Sequence, residues 1–136
     1  MKKQFILISC LAIFAAGTTV MSLTSCKKTA NPNAQFVGTY GGRSSTNNNY
    51  VSDTLFITAG TTSTTVNILE QNTNTNYTAT ATGDSLIIGT QLSTVNNAGI
   101  TFTSGSGVLT GSSLTFSSAG QFTSGSYFSY TFQGTK

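Results

Sequence analysis

The chain has no histidine and no tryptophan, two cysteines and one proline, and only 7% of its 136 residues are charged. Without histidine it lacks the usual general base and the commonest metal ligand. Its only carboxylate side chains are Asp53, Glu70 and Asp84. Distant carboxylates can meet in a fold, so glycoside hydrolysis survives as a chemistry, but no spacing joins these three. No phosphate loop, zinc pattern or nucleophile elbow is present, and Gly105-Ser106-Gly107 lacks the strand–helix context such motifs need. The expectation is a non-enzyme with no cofactor and no metal site.

The formal charge of +3 says little about partners. Lys2, Lys3, Lys27 and Lys28 carry four of the six positive charges, all near the N-terminus. From Gln35 onward, Arg43 and Lys136 face three carboxylates, a net of −1. No basic patch remains for nucleic acid, and that class of partner is excluded.

The N-terminus has the layout of an export signal. Lys2 and Lys3 precede an apolar run from Phe5 to Ala16, and small residues follow from Gly17 to Ser25. The run breaks at Gly17, Thr18 and Thr19, short of the roughly 20 apolar residues of a spanning helix. Leu23-Thr24-Ser25-Cys26 closes the segment and resembles the lipobox of bacterial lipoproteins. The resemblance implies cleavage before Cys26 and acylation of that cysteine, palmitate included. Residues 1–25 are then a lipoprotein signal peptide, and 26–35 the acylated cysteine and a flexible tether. Cys10 leaves with the signal, so no intramolecular disulfide can form, although the exported compartment would permit one. Lys27 and Lys28 beside the anchor suit an anionic lipid surface, each cation contributing about 1 kcal/mol there. The stretch to Gln35 contains the single proline and reaches about 30 Å when extended.

What remains, residues 36–136, is the length of one domain. Threonine, serine and asparagine supply its polarity, a composition compatible with disorder. The spacing of apolar residues argues for strands instead. Leu55 and Ile57 alternate with polar neighbours, as do Val66 and Ile68, Leu86 and Ile88, Ile100 and Phe102, and Leu114 and Phe116. Tyr77, Ala79 and Ala81 alternate with Thr78, Thr80 and Thr82, and Phe128, Tyr130 and Phe132 close the series. With Phe36 to Gly41 these make about eight short strands separated by turn clusters. Thr82-Gly83-Asp84-Ser85 and Thr110-Gly111-Ser112-Ser113 share one hairpin plan, glycine first in a two-residue loop. Ser104-Gly105-Ser106-Gly107 reads as a bend inside one strand running from Gly99 to Thr110. Gly42 to Ser52 and Gly89 to Ala98 read as the longest loops, and hence as recognition surfaces.

The fold class is all-β: a small up-and-down antiparallel meander that closes to remove its edges, with a two-sheet β-sandwich as the alternative. Phe36-Val37-Gly38-Thr39-Tyr40-Gly41 resembles the opening motif of lipocalin-like barrels. The rest of the domain, through Tyr130 to Lys136, is similar to small bacterial lipoproteins with a lipocalin-like β-barrel. That resemblance implies a basic residue, Lys136 or Arg43, packed over the aromatic at Tyr40, where lipocalins have tryptophan. A strand start with a core aromatic explains Gly38 and Tyr40 equally well.

Two functions follow. In the first, the lumen binds a small apolar ligand, lined by Tyr77, Ala79, Phe102, Phe116 and Tyr130, with Tyr77 or Tyr130 as polar handle. In the alternative, the lumen is filled, and the loops and Thr/Asn-rich exterior serve as a structural, protein- or glycan-interaction module of the cell envelope. Either way the protein is expected as a monomer held by lipid in the outer membrane of a Gram-negative bacterium, on the periplasmic face. Asp53-Thr54-Leu55 and Asp84-Ser85-Leu86 resemble the O-glycosylation sequon of some Gram-negative bacteria, making Thr54 and Ser85 candidate sites. An aspartate that closes a turn explains both triplets without sugar.

Overall fold

The computed structural model describes residues 31–136; the segment expected to be a signal peptide, residues 1–25, and Cys26, Lys27 and Lys28 lie outside them. Nine strand segments follow in order: β1 (Gly38–Thr46), β2 (Asn49–Ala59), β3 (Thr65–Glu70), β4 (Thr75–Thr82), β5 (Ser85–Ile88), β6 (Gln91–Val95), β7 (Ala98–Thr110), β8 (Ser113–Phe122) and β9 (Tyr127–Thr135). Apart from β5 and β6, neighbours in sequence are antiparallel neighbours in space, and β9 returns to pair with β1. Both β5 and β6 pair with β7 in one continuous register, Ser85 opposite Val108 and Gln91 opposite Phe102. They are one strand interrupted at Gly89 and Thr90, so the sheet is an eight-stranded, up-and-down closed barrel. The all-β closed barrel, rather than the sandwich, is the fold.

Along each strand the buried residues alternate with exposed ones. In β4, Thr75, Tyr77, Ala79 and Ala81 point inward; in β9, Phe128, Tyr130, Phe132 and Gly134 do. Apolar side chains therefore predominate inside, with Thr75, Ser44, Ser118, Asp53 and Glu70 buried among them, and hydroxyl-bearing ones predominate outside, where Ile87, Leu92 and Val108 are exposed singly. A membrane-spanning barrel has the opposite arrangement, with an apolar band on its wall.

β7 runs as a single 13-residue strand, but its irregularity lies just before the stretch expected to bend: the register against β8 slips between Phe102 and Ser104, at Thr103, and Ser104–Gly107 pair regularly. Gly107 then faces inward, where a Cβ would come within 2.8 Å of the Phe116 ring. A close approach of backbone to a core aromatic needs glycine there.

Two of the expected loops are not loops. Gly42 to Ser52 is a hairpin in which β1 and β2 pair through Thr46 and Asn49 around Asn47-Asn48. Gly89 to Ala98 contains β6 and an equally tight turn at Asn96-Asn97. All four asparagines have positive φ, between 48° and 70°. Two successive residues of that kind make the turn that matches strand twist, and asparagine tolerates it better than other side chains. Asp53 is also misplaced by a turn-closing reading, because it lies within β2 with its side chain buried.

The seam between β4 and β6 is closed by side chains. The Gln91 carboxamide accepts from the Thr78 N–H at 2.9 Å and donates to the Thr78 carbonyl at 2.7 Å. Ser93 donates to the Asn76 carbonyl. These amide and hydroxyl groups satisfy β4 backbone groups where a ladder would otherwise be broken.

Candidate functional site

The residues expected to line a lumen do come together. Tyr77, Ala79, Phe102, Phe116 and Tyr130 are all buried and all face inward. They pack on one another and on Phe128. Ring centroids are 4.7 Å apart for Tyr77 and Phe102, 6.0 Å for Tyr77 and Phe116, 6.0 Å for Phe102 and Phe128, and 6.4 Å for Phe116 and Tyr130. These are contact distances for aromatic pairs, so the rings occupy the width of the barrel themselves.

Neither tyrosine hydroxyl is left as a handle. Tyr130 donates to Asp53 Oδ2 at 2.9 Å, and Tyr77 donates to Glu70 Oε1. Asp53 Oδ1 also accepts from the backbone N–H of Thr54 and of Asn72. Glu70 Oε2 accepts from Thr73 at 2.7 Å, and Thr73 accepts in turn from Thr75 at 2.8 Å. Two of the three carboxylates therefore meet at one end of the lumen, on the adjacent strands β2 and β3. Sequence gave no hint of this, since an acid in a strand defaults to the surface.

Burial is the main reason the Glu70 carboxyl is pushed up to about 7; its hydrogen bonds from Tyr77 and Thr73 oppose this, and the charge of Asp53 adds to it. Desolvation likewise raises both tyrosines above the ordinary phenol range, with the neighbouring carboxylate charge acting in the same direction. The buried hydroxyls of Ser44 and Ser118 have no geometrically sound hydrogen bond among the described residues. Each nevertheless lies near enough to a phenol oxygen, Ser44 by Tyr130 and Ser118 by Tyr77, to oppose that rise.

The opposite end of the lumen is closed differently. Phe36 is wholly buried, and the Tyr40 hydroxyl donates to its carbonyl at 2.9 Å. Burial pushes that hydroxyl up to about 12. Of the two cations offered for packing over Tyr40, Lys136 does so, its Nζ lying 5.4 Å from the ring centroid. The same ammonium donates to the carbonyls of Gln35 and Val37. Asn33, within the expected tether, is buried against the β2–β3 loop, donating to the carbonyls of Thr62 and Thr65.

Arg43 stands elsewhere, on the outer wall. It borders a groove of about 450 Å³ that crosses the barrel exterior from β7 to β2. One row of groove residues is Val108, Thr115, Gln133 and Arg43; the next is Ser106, Ser117, Thr131, Ser45 and Tyr50. Tyr50 is 69% exposed. Sequence reading missed this groove because its residues are scattered over five strands and individually ordinary. Of the candidate glycosylation sites, Thr54 is half-buried on β2 and Ser85 is half-buried at the start of β5.

No protein-family model matches the chain, and no curated protein matches it in sequence. Among solved structures it is similar to one described as "a putative outer membrane protein" from Bacteroides fragilis NCTC 9343, with a TM-score of 0.57 and 18% identity. The match covers 79% of this chain and 53% of that one, so this chain spans about half the length of that protein. The likeness is one of antiparallel barrel architecture.

Proposed function

We propose that the protein is a lipid-anchored envelope module, acylated at Cys26, whose non-catalytic barrel presents its outer surface for recognition. The aromatic packing of the lumen carries this reading. Tyr77, Phe102, Phe116, Phe128 and Tyr130 fill the space that a ligand would need, and both phenols are already committed to carboxylates. The reading in which a small apolar ligand enters the lumen loses its support on the same ground.

Anchoring at the N-terminus agrees with the polar outer wall, which suits water rather than acyl chains. The description of the Bacteroides fragilis structure agrees with an outer-membrane setting. Within this reading the domain is placed on the periplasmic face of the outer membrane. More than one acyl chain gives stable attachment, which a cleaved and doubly modified cysteine would provide.

The test compares cells making the wild type and Cys26→Ser. The wild type should fractionate with the outer membrane and show a blocked, acylated Cys26 as its first residue by mass spectrometry. The variant should accumulate as an uncut precursor. Normal processing of the variant would sink the anchoring claim. Thermal melts with lipids and hydrophobic dyes test the filled lumen: none should stabilise the wild type, and Ala79→Leu should lose about 1–3 kcal/mol by overpacking.

A further inference from the structure

The outer groove has a definite chemistry. One row of its lining is hydroxyl-bearing on four consecutive strands, Ser106, Ser117, Thr131 and the buried Ser45, and ends at the exposed ring of Tyr50, while Val108, Phe116 and Phe132 add apolar surface. The neighbouring row carries the Gln133 carboxamide and the Arg43 guanidinium, which are paired directly across β9 and β1. From β7 to β2 the rows extend roughly 19 Å at the usual spacing of neighbouring strands. The groove is thus long and shallow, and it runs across the strands.

Arg43 is the informative residue. The domain is acidic overall, yet among the described residues Arg43 has no ion pair and no hydrogen bond, while the other cation, Lys136, is occupied by carbonyls and the Tyr40 ring. A guanidinium presents a planar fork suited to a carboxylate. Beside it stand hydroxyls and an amide, which both donate and accept, and a phenol ring able to stack on a flat apolar face. That combination matches a sugar carrying a carboxylate: ring face to Tyr50, hydroxyls to the serine and threonine row, acid to Arg43. An extended peptide usually docks by adding a strand, and a closed barrel offers no edge for that. One cation is also too little for an anionic bilayer, where each contributes only about 1 kcal/mol.

We propose that this groove binds an acidic, uronate-containing glycan chain lying across β7, β8, β9, β1 and β2. The proposal rests on the reading of the exterior as the recognition surface and names what that surface takes.

The experiment titrates the purified mature protein with an oligogalacturonate, its methyl ester, a cello-oligosaccharide, a polyglutamate peptide and phosphatidylglycerol vesicles. The expected result is binding of the oligogalacturonate alone, weakened by salt. Arg43→Gln should weaken it about tenfold or more, as for loss of a charge-assisted bond. Tyr50→Ser should weaken it less, and Tyr127→Ser, an exposed tyrosine outside the groove, should leave it unchanged. No oligogalacturonate binding, equal binding of the ester, or binding that survives Arg43→Gln overturns the proposal. Equal capture of polyglutamate or of vesicles through Arg43 overturns it too, in favour of a peptide or membrane partner. Failure here leaves anchoring untouched, because anchoring is read from Cys26 processing; uronate binding by a protein found outside the envelope would sink the anchoring reading alone.

Discussion

The two ends of this barrel solve one problem in opposite ways. At the end where the chain comes in, Phe36, Tyr40 and Lys136 close the lumen with an aromatic plug under an ammonium, and the polar groups there bond to backbone carbonyls. At the far end, Asp53 and Glu70 sit inside the wall and are satisfied by tyrosine and threonine hydroxyls. The turns differ as well. The near end uses glycine at Gly83 and Gly111, and the far end uses mostly asparagine, at Asn47-Asn48, Asn74 and Asn96-Asn97, with glycine at Gly125. The difference teaches that burying an apolar side chain and burying a satisfied charge both close a barrel, but only the second makes the closure depend on pH.

The largest effect is expected at the plug. Tyr40→Ala removes a fully buried ring, the hydrogen bond to Phe36 and the platform under Lys136. Aromatic truncations in cores cost about 3–5 kcal/mol. Urea denaturation should show that loss almost equally at pH 5 and pH 8, because neither Phe36 nor Tyr40 titrates in that range. A loss that varies strongly between these pH values would mean that the two ends are not independent.

At the far end the pH term should dominate. Glu70 titrates at about 7 in the fold against 4.5 ordinarily, so its charged form is the disfavoured one. Its contribution to stability is fully present below pH 4.5 and is lost as pH rises through about 7. A difference of that size corresponds to about 3 kcal/mol. Asp53, Tyr77, Tyr130, Thr73 and Thr75 are its neighbours, and the tyrosines stay protonated over the whole window. Denaturation midpoints measured between pH 4.5 and pH 8 should fall for the wild type. Glu70→Gln, which keeps an acceptor for Tyr77 but no charge, should flatten that slope. An unchanged slope in Glu70→Gln would move the titrating group elsewhere.

How much of this could be read from the sequence follows the same division. Wherever one strand face is apolar the alternation is visible, as at Tyr77, Ala79 and Ala81, and β4 lies where it was expected. The single long strand β7 was legible, but its register slip at Thr103 falls one residue before the glycine and serine stretch that marked a bend, because threonine carries no signal for one. Arg43 to Ser52 and Gln91 to Val95 were not, because polar residues on both faces erase the period that marks a strand. The carboxylates were hidden for another reason. Tyr130 lies 77 residues from Asp53, and only the pairing of β9 with β1 brings them within reach, whereas Tyr77 meets Glu70 across the β3–β4 hairpin, a contact that needs the strand register to be known. The inward direction of Tyr77, Ala79, Phe102, Phe116 and Tyr130 was legible from alternation, while the ring-to-ring contacts among the aromatic ones depend on distances that no pattern reports.

The smallest effect tests the turns. Asn97 has φ 67°, a region that costs most side chains about 1–2 kcal/mol and glycine nothing. Asn97→Gly should therefore change the far end by a few tenths of a kcal/mol, while Asn97→Ala should lose about 1 kcal/mol. The near end supplies the mirror experiment, because Gly111 has φ 61° and a Cβ there would meet nothing within 4 Å. Gly111→Asn meets no clash, so its cost is backbone strain alone and should be under about 1 kcal/mol, with Gly111→Ala costing more. Both series are read by thermal melting at one pH. If the alanine variants at the two ends lose similar amounts and the Gly/Asn exchanges are nearly silent, the turns are interchangeable and asparagine serves no folding purpose that glycine could not. If Asn97→Gly instead costs as much as Asn97→Ala, the asparagine side chain stabilises the far end by a contact of its own, and the contrast between the ends extends to their turns.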